Sequence, residues 1–196
     1  VFDVFVSLII LICLSPIMLG IACAIVLDSP GGAFYRQERV TQYGKIFRIH
    51  KFRTMVANAD KIGSQVTIEG DKRVTKTGKF LRKYRLDELP QLIDILYGDM
   101  SFVGTRPETV KYVEKYKPEY IATLLLPAGI TSEASIRYKD EAELFDAVDD
   151  VDKVYVEDVL PGKMKYNLES IKNFSFFGEI ATMFRTVFSV LGKEHE

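Results

Sequence analysis

Tryptophan is absent from the 196 residues, and histidine and cysteine occur twice each. Cys13 and Cys23 both lie in one apolar run, so no disulfide framework of the secreted type can be built. The remaining residues carry no cysteine, as in a reducing compartment. His50 and His195 are far apart and have no cysteine beside them, which argues against a structural zinc site and a histidine-based triad. G-x-G-x-x-G and the Walker A lysine loop are missing, as are internal repeats and low-complexity tracts. Net charge is also nearly missing: 26 Lys and Arg against 27 Asp and Glu give −1. A globally basic binder of nucleic acid is excluded, and no nucleic-acid partner is expected. What is present is a 47% hydrophobic and 27% charged chain, long enough to bury one compact core.

The balanced total conceals a division of charge. From Arg36 to Arg85 there are 14 Lys and Arg against 4 Asp and Glu, a local charge of +10. From Tyr138 to Leu160 there are 9 acidic residues against 2 lysines, a local charge of −7. The basic lobe suits phosphate or anionic lipid.

Val4 to Leu27 is 24 residues without a charge, longer than the roughly 20 that a spanning helix needs. No basic stretch precedes it, and Asp28-Ser29-Pro30-Gly31-Gly32 is not a small-residue cleavage site, so a signal peptide is disfavoured. Arg36 and Arg39 follow the run and place the next domain on the cytoplasmic side. Pro16, preceded by Ser15, deletes a helical hydrogen bond in mid-run and clashes with the carbonyl of Ile12. Two readings follow: a bent transmembrane helix, with Ser15 satisfying a freed backbone group, or a helix, break, helix hairpin that returns to the same face. Near the other end, Phe174, Phe177, Ile180, Met183 or Phe184, Val187 or Phe188, and Leu191 recur at three- and four-residue spacing. They give a helix over about 175–191 with one apolar face, either a core helix or one lying on the bilayer surface.

Between these ends, strand-like pieces at Ala33–Gln37 and Lys45–Phe52 precede helices near Thr54–Ile62 and Lys76–Tyr84. Gly63–Asp71 reads as a polar loop. Pro90–Tyr97 suits a short helix opened by proline and closed by Gly98. Further helices are expected at Lys111–Lys117, Glu119–Leu126, Ala142–Asp149 and Asp152–Leu160, punctuated by Pro107, Pro118, Pro127 and Pro161. The class is α+β and mostly helical.

The densest chemical stretch is Leu81-Arg82-Lys83-Tyr84-Arg85-Leu86-Asp87-Glu88-Leu89-Pro90-Gln91-Leu92. Pro90 is expected to push Leu89 out of helical geometry, leaving Asp87 and Glu88 at a break between helices, near an amide-rich helix start that attracts phosphate. Arg82, Lys83 and Arg85 keep nearby carboxylates ionised, and a divalent ion could bridge carboxylate and phosphate oxygens. The bland alternative is a capped helix with paired charges. A second cluster, Gly98-Asp99-Met100-Ser101-Phe102-Val103-Gly104-Thr105-Arg106-Pro107, suits close approach to a diphosphate or is simply a turn with a surface arginine. Lys51 and Arg53 could be phosphate contacts or a solvated strand end, and Arg137 is a weaker candidate.

Ser15-Pro16, Phe34-Tyr35-Arg36-Gln37-Glu38-Arg39, Lys51-Phe52-Arg53-Thr54-Met55, Leu86-Asp87-Glu88-Leu89-Pro90-Gln91-Leu92 and Gly98 to Pro107 follow one another in an order that resembles the bacterial sugar transferases. Within that family the string is similar to the small monotopic polyprenyl-phosphate phosphoglycosyl transferases. The resemblance covers residues 1 to about 138. It departs at Thr105, where proline is common, at Gly31-Gly32-Ala33, where Gly-Pro-Val is more usual, and at Asp94, where asparagine is frequent. The tryptophan-containing continuation of larger relatives is missing after Gly129-Ile130-Thr131, which gives the expectation of a small, stand-alone catalytic unit.

The resemblance implies a transferase that moves a sugar 1-phosphate from a UDP-sugar to undecaprenyl phosphate, leaving UMP, at the first membrane step of glycoconjugate assembly. It implies Asp87 as a nucleophile that forms an aspartyl-phosphosugar intermediate and Glu88 as its partner. Magnesium is expected on Asp87 with help from Glu88, and donor phosphates on Lys51, Arg82, Arg106 and Arg137. It also implies a re-entrant membrane helix over 1–28, broken at Ser15 and Pro16, and a cytoplasmic catalytic domain over 29–196. The enzyme is then monotopic on the cytoplasmic face of a bacterial inner membrane, in contact with membrane lipid. A different class, a non-catalytic membrane-anchored protein that grips anionic lipid, needs neither metal nor UDP-sugar. A glycosidase is poorer, because adjacent carboxylates cannot easily flank a glycosidic bond at about 5 Å or more. The transferred sugar and the oligomeric state have no signature in the sequence.

Overall fold

The long uncharged run folds as one helix, α1, over Phe2–Asp28, in the computed structural model, which describes residues 1–59, 66–68, 70–145 and 150–192. Among the described residues this is the one helix long and apolar enough to cross a membrane. The break expected at Ser15 and Pro16 does not interrupt it. Pro16 has no amide hydrogen for the carbonyl of Ile12, and the Ser15 hydroxyl donates to that carbonyl instead at 2.8 Å. The acceptor freed by proline is satisfied locally, so the helix continues.

After α1 the chain forms a hairpin of β1 (Phe34–Val40) and β2 (Ile46–Phe52), antiparallel with Phe34 opposite Phe52 and Val40 opposite Ile46. The helices α2 (Lys76–Lys83) and α3 (Gln91–Leu96) follow, then strand β3 (Met100–Val103) and a single turn, α4 (Val110–Val113). Strand β4 (Ala128–Thr131) pairs parallel with β3, and α5 (Glu133–Arg137) comes next. The last helices are α6 (Val151–Val154), α7 (Leu160–Lys172) and α8 (Phe176–Leu191). The α+β, mostly helical class is what these elements make.

Several expected elements differ. Thr54 to Asn58 is not helical: Met55 bridges Val74 and the chain then turns into a 3-10 conformation at Ala59, while the rest of that expected helix and about half of the expected loop over Gly63–Asp71 lie outside the described residues. The helix expected at Lys111–Lys117 is the one turn of α4, that at Glu119–Leu126 is a 3-10 helix over Pro118–Leu125, and that at Ala142–Asp149 is 3-10 over Glu141–Phe145. The remainder of the last falls outside the described residues. Pro161 ends nothing, because a π-helical turn over Tyr155–Val159 joins α6 to α7 and widens the backbone just before the proline. The strands β3 and β4 were not expected. Their pairing depends on two glycines, since a Cβ on Gly129 would lie 2.1 Å from the Gly104 nitrogen.

Three clusters form the core. Phe47, Ile49, Leu92, Ile95, Met100 and Phe102 pack against Val6, Ile10 and Leu11 of α1. Ile25, Phe52 and Leu81 meet Met18, Ile21 and Ala22 of the same helix, together with Leu86 and Leu89. The third, around Tyr112, Phe145, Tyr155 and Met164, closes the domain on the far side. The segment from Leu86 to Leu92 is therefore pinned along α1 by the half-buried Leu86 and Leu89 and by the buried Leu92, whose burial contributes roughly 1.5–3 kcal/mol. Ser7, fully buried in α1, donates from its hydroxyl to the Leu92 carbonyl at 2.7 Å.

Both ends of α1 touch this one domain. The Ser101 hydroxyl donates to Asp3 near the N-terminal end, and the Thr77 amide donates to Asp28 at 2.9 Å at the other. The face turned away from the domain bares Phe5, Ile12, Leu19 and Val26 at seven-residue intervals, each more than half exposed. On α8, Phe177, Phe184, Val187, Phe188 and Leu191 are likewise bare, and Phe176 sets its ring edge-on to Phe2 of α1 at 5.3 Å.

Candidate active site

Arg85 sits in the left-handed region at φ 52°, a conformation costly for a residue with a Cβ, and it turns the chain sharply out of α2. A short 3-10 turn over Leu86–Glu88 follows and runs into Pro90 and α3. The break between the helices is thus at Arg85. Leu89, expected to leave helical geometry before proline, stays right-handed at φ −53° and ψ −38°. Leu86 and Leu89 pack in the core beside α1, so the two carboxylates between them are held close to that helix.

Adjacent in sequence, the carboxylates have opposite fates. Glu88 is buried, and its Oε1 accepts from the Arg106 guanidinium and from Lys51 Nζ at 3.3 Å. Burial alone would raise its pKa, but Arg106 and Lys51 outweigh burial and hold the group well below the usual carboxylate range. Asp87 is half-buried and makes no hydrogen bond or ion pair with any described residue. Burial first, and then the neighbouring Glu88 charge, push its pKa above the ordinary 3.8. Lys51 is pulled down to about 8, chiefly by burial. One carboxylate is locked into the wall and the other is left to react or to bind.

Lys51, Arg82, Asp87, Glu88 and Arg106 all line one open cleft of about 1420 Å³. They come from four places in the chain, with Asp87 and Glu88 on the one 3-10 turn. Lys51 comes from the end of β2, and Arg106 from the segment after β3 and Gly104. Arg82 is the last-turn residue of α2, and its Nε donates to Thr54 Oγ1 at 2.8 Å. Helix α2 can approach Thr54 because Gly78 has no side chain: a Cβ there would lie 2.0 Å from the Thr54 carbonyl oxygen.

Two basic candidates are used elsewhere. Arg137 is exposed, with its Nε on Glu133 at 2.8 Å and its guanidinium 4.7 Å from the Tyr166 ring centre, and it does not line the cleft. The (i, i+4) carboxylate on its own helix competes for it. Arg53 is buried and donates to Ser29 Oγ and to the carbonyls of Ser29, Pro30 and Gly32, all within 2.9 Å. It fastens the turn that follows α1.

Arg39 and Arg85 line the cleft but were not singled out as phosphate ligands. For Arg39 the signal is structural, because Phe34-Tyr35-Arg36-Gln37-Glu38-Arg39 does not alternate apolar with polar residues. In β1 the positions Phe34, Arg36 and Glu38 are exposed while Tyr35, Gln37 and Arg39 are half-buried, and this alternation marks the inward face. Arg85 carried no such mark, since a left-handed arginine has no sequence signature.

No described group of three or more histidine, cysteine or acidic side chains could cage a metal ion. The donor set suits magnesium in another way, because that ion is commonly bound by one or two carboxylates together with substrate phosphates. Asp87 has its oxygens uncommitted. Glu88 meets Arg106 and Lys51 through Oε1 alone, so its Oε2 would be the oxygen able to join.

The chain belongs to the bacterial sugar transferase family, whose model matches residues 1–193. It is 35% identical over 192 residues to the UDP-N-acetylgalactosamine-undecaprenyl-phosphate N-acetylgalactosaminephosphotransferase of Aeromonas hydrophila, covering 96% of this chain and 42% of that protein. Against the UDP-glucose:undecaprenyl-phosphate glucose-1-phosphate transferase of Escherichia coli K12 the identity is 37% over 191 residues, 95% of this chain and 38% of the relative. A putative undecaprenyl-phosphate N-acetylgalactosaminyl 1-phosphate transferase of Bacillus subtilis is 43% identical over 119 residues, 61% of this chain and 66% of that protein. The chain thus spans about two-fifths of the length of the first two relatives.

Proposed function

We propose that this chain transfers a sugar 1-phosphate from a UDP-sugar to undecaprenyl phosphate, releasing UMP and leaving a polyprenyl-diphosphate sugar. The observation that carries the reading is the contrast between an uncommitted Asp87 and a Glu88 held by Arg106 and Lys51, in a basic cleft fixed to an apolar helix. The names of the relatives supply the substrate class, and they differ in the sugar.

In the first step a carboxylate oxygen of Asp87 attacks the β-phosphorus of the donor. The bond from that phosphorus to the bridging oxygen breaks, and UMP departs with the electron pair. In the second step an oxygen of undecaprenyl phosphate attacks the same phosphorus, and the Asp87 carboxylate leaves unchanged. Lys51, Arg82 and Arg106 offset the phosphate charge that would otherwise repel an anionic nucleophile. Glu88 acts by fixing the Arg106 guanidinium. Asp87 would hold magnesium with help from Glu88, and the ion would supply further charge compensation for the donor phosphates.

The test is direct. UMP release on mixing the membrane-embedded protein with UDP-glucose, UDP-galactose or UDP-N-acetylgalactosamine, magnesium and undecaprenyl phosphate supports the reading. Binding to anionic vesicles with no UMP from any donor overturns it in favour of a lipid-gripping anchor.

The disposition in the membrane belongs to the same proposal. A helix of 27 residues is about 40 Å long, enough to cross a bilayer. With both of its ends bonded to one polar domain, crossing would drag that domain through the hydrocarbon. We therefore place α1 in one leaflet, with α8 beside it at the interface and the cleft on the cytoplasmic face. With Cys13 and Cys23 replaced by serine, cysteines introduced at Val1 and Gly32 are expected to react with an impermeant maleimide from the same side. Labelling from opposite sides refutes this topology.

A further inference from the structure

The hairpin of β1 and β2 is a sheet of two strands, so β2 has one edge with no strand partner. Antiparallel pairing alternates bonded and non-bonded positions along that sheet. The Arg53 amide donates to the Ala33 carbonyl at 2.8 Å, which makes Tyr35 with Lys51 and Gln37 with Ile49 the bonded pairs. His50, opposite Arg36, falls between them, and its amide points out of the open edge. An amide turned into packed protein needs an acceptor.

Asp94 supplies it. This side chain of α3 is 1% exposed, and its Oδ2 accepts from the His50 amide at 2.9 Å while its Oδ1 meets the His50 ring at Nδ1, 2.6 Å away. A carboxylate stands where a third strand would place a carbonyl, and it grips the ring of the same residue as well. Burial raises the pKa of this carboxyl, and the contacts with the His50 amide and ring offset part of that rise. Neither Asp94 nor His50 lines the cleft.

The next residue along β2 is Lys51, which does line the cleft and reaches Glu88 Oε1 at 3.3 Å. That contact is the looser of the two on this oxygen, since Arg106 sits closer. A lysine is a point charge on a flexible stem of four carbons, so the place of its ammonium depends on how its backbone is held. Glu88 on the 3-10 turn and Asp94 on α3 engage adjacent residues of β2, and two adjacent grips fix both the position and the direction of the strand end. The Lys51 contact alone would leave that end free to swing.

We propose that Asp94 is a positioning residue for the transfer, which holds His50 by amide and ring and thereby sets Lys51 against Glu88 and beside the donor phosphates. The use of Lys51 rests on the transferase reading above, and its placement rests on these contacts alone.

Asp94→Ala removes both contacts, and kcat/KM with the donor that the wild type uses best is expected to fall about 10-fold. In a Lys51→Ala background the same change should lower it by less than about 2-fold, because the side chain it positions is gone. Asp94→Asn keeps an oxygen for the amide and an NH2 group for the ring, and should hold activity within about 2-fold of the wild type. Asp94→Ser, one atom too short to make both contacts, takes the place of Asp94→Ala if that variant does not fold. Ile95→Val, a packing change in the core on the same helix, is the control whose loss should multiply with that of Lys51→Ala.

A second readout needs no turnover. Treatment with a water-soluble carbodiimide joins an ammonium to a carboxylate that touches it, and peptide mass mapping should find Lys51 joined to Glu88 in the wild type and in Asp94→Asn. The yield should fall several-fold in Asp94→Ala. Losses that multiply in the Asp94 and Lys51 double variant, or an unchanged Lys51 to Glu88 yield in Asp94→Ala, overturn the assignment while leaving the transferase reading intact. A wild type that releases no UMP from any donor removes that reading, and the cross-link then still decides whether Asp94 places Lys51.

Discussion

Asp87→Asn is expected to lower UMP release by on the order of 10³-fold or more, since a carboxamide cannot form the covalent bond to phosphorus. Fold and membrane association should survive. Burial and the Glu88 charge raise the Asp87 pKa, so the ionised side chain costs stability in the folded state at neutral pH. Removing its charge should leave Tm unchanged or move it upward. Activity and stability then change in opposite directions, as expected of a group kept uncommitted for chemistry and not for folding. A large fall in Tm with modest loss of turnover would make Asp87 a structural residue.

Arg106→Ala should damage both. It leaves a buried Glu88 with Lys51 as its remaining cation, and breaking a buried pair of this kind costs about 3 kcal/mol, which at roughly 2–4 °C per kcal/mol lowers Tm by about 6–12 °C. Turnover should fall with it, because the same guanidinium offsets the donor phosphates. Adding Glu88→Gln to Arg106→Ala should recover part of the Tm and none of the turnover. The pH dependence follows from the depressed pKa of Glu88. A folded value below the ordinary 4.5 contributes stability that is present above about pH 4.5 and is lost as pH falls through the folded value. The gap in Tm between wild type and Arg106→Ala should therefore be widest near neutrality and close on acidification. Thermal melts in detergent or nanodiscs between pH 3 and 7 measure it.

The parts of the fold that a sequence states most openly are those whose signal is local. The apolar run of α1 and the three- and four-residue spacing of α8 are each contained in one segment. The strands β3 and β4 are four residues each and pair in parallel across 24 intervening positions, so neither has enough length to display a period. Their signal was the glycine pair Gly104 and Gly129, which is meaningful only once the two backbones are seen to touch. Pro161 misled for a related reason, because a π turn accommodates a proline that a regular helix would not.

The candidate site divides along similar lines. Asp87, Glu88, Lys51, Arg82 and Arg106 meet in one cleft, and their motifs are short and contiguous. What the motifs could not express is which carboxylate is held and which is uncommitted, since that depends on Arg106 arriving from the segment after β3. Arg137 and Arg53 show the converse. A long cationic side chain goes to the nearest good acceptor, Glu133 in one case and the carbonyls after α1 in the other, and residue type alone does not reveal where that acceptor lies.

Intact-protein mass measurement tests the central claim most directly. Wild-type protein mixed with a UDP-sugar and magnesium, in the absence of undecaprenyl phosphate, should gain the mass of one sugar phosphate and release one equivalent of UMP. Peptide mapping should place the addition on Asp87, and later undecaprenyl phosphate should discharge it. An unmodified protein that releases UMP only when the acceptor is present, or an adduct on any residue other than Asp87, would contradict the account.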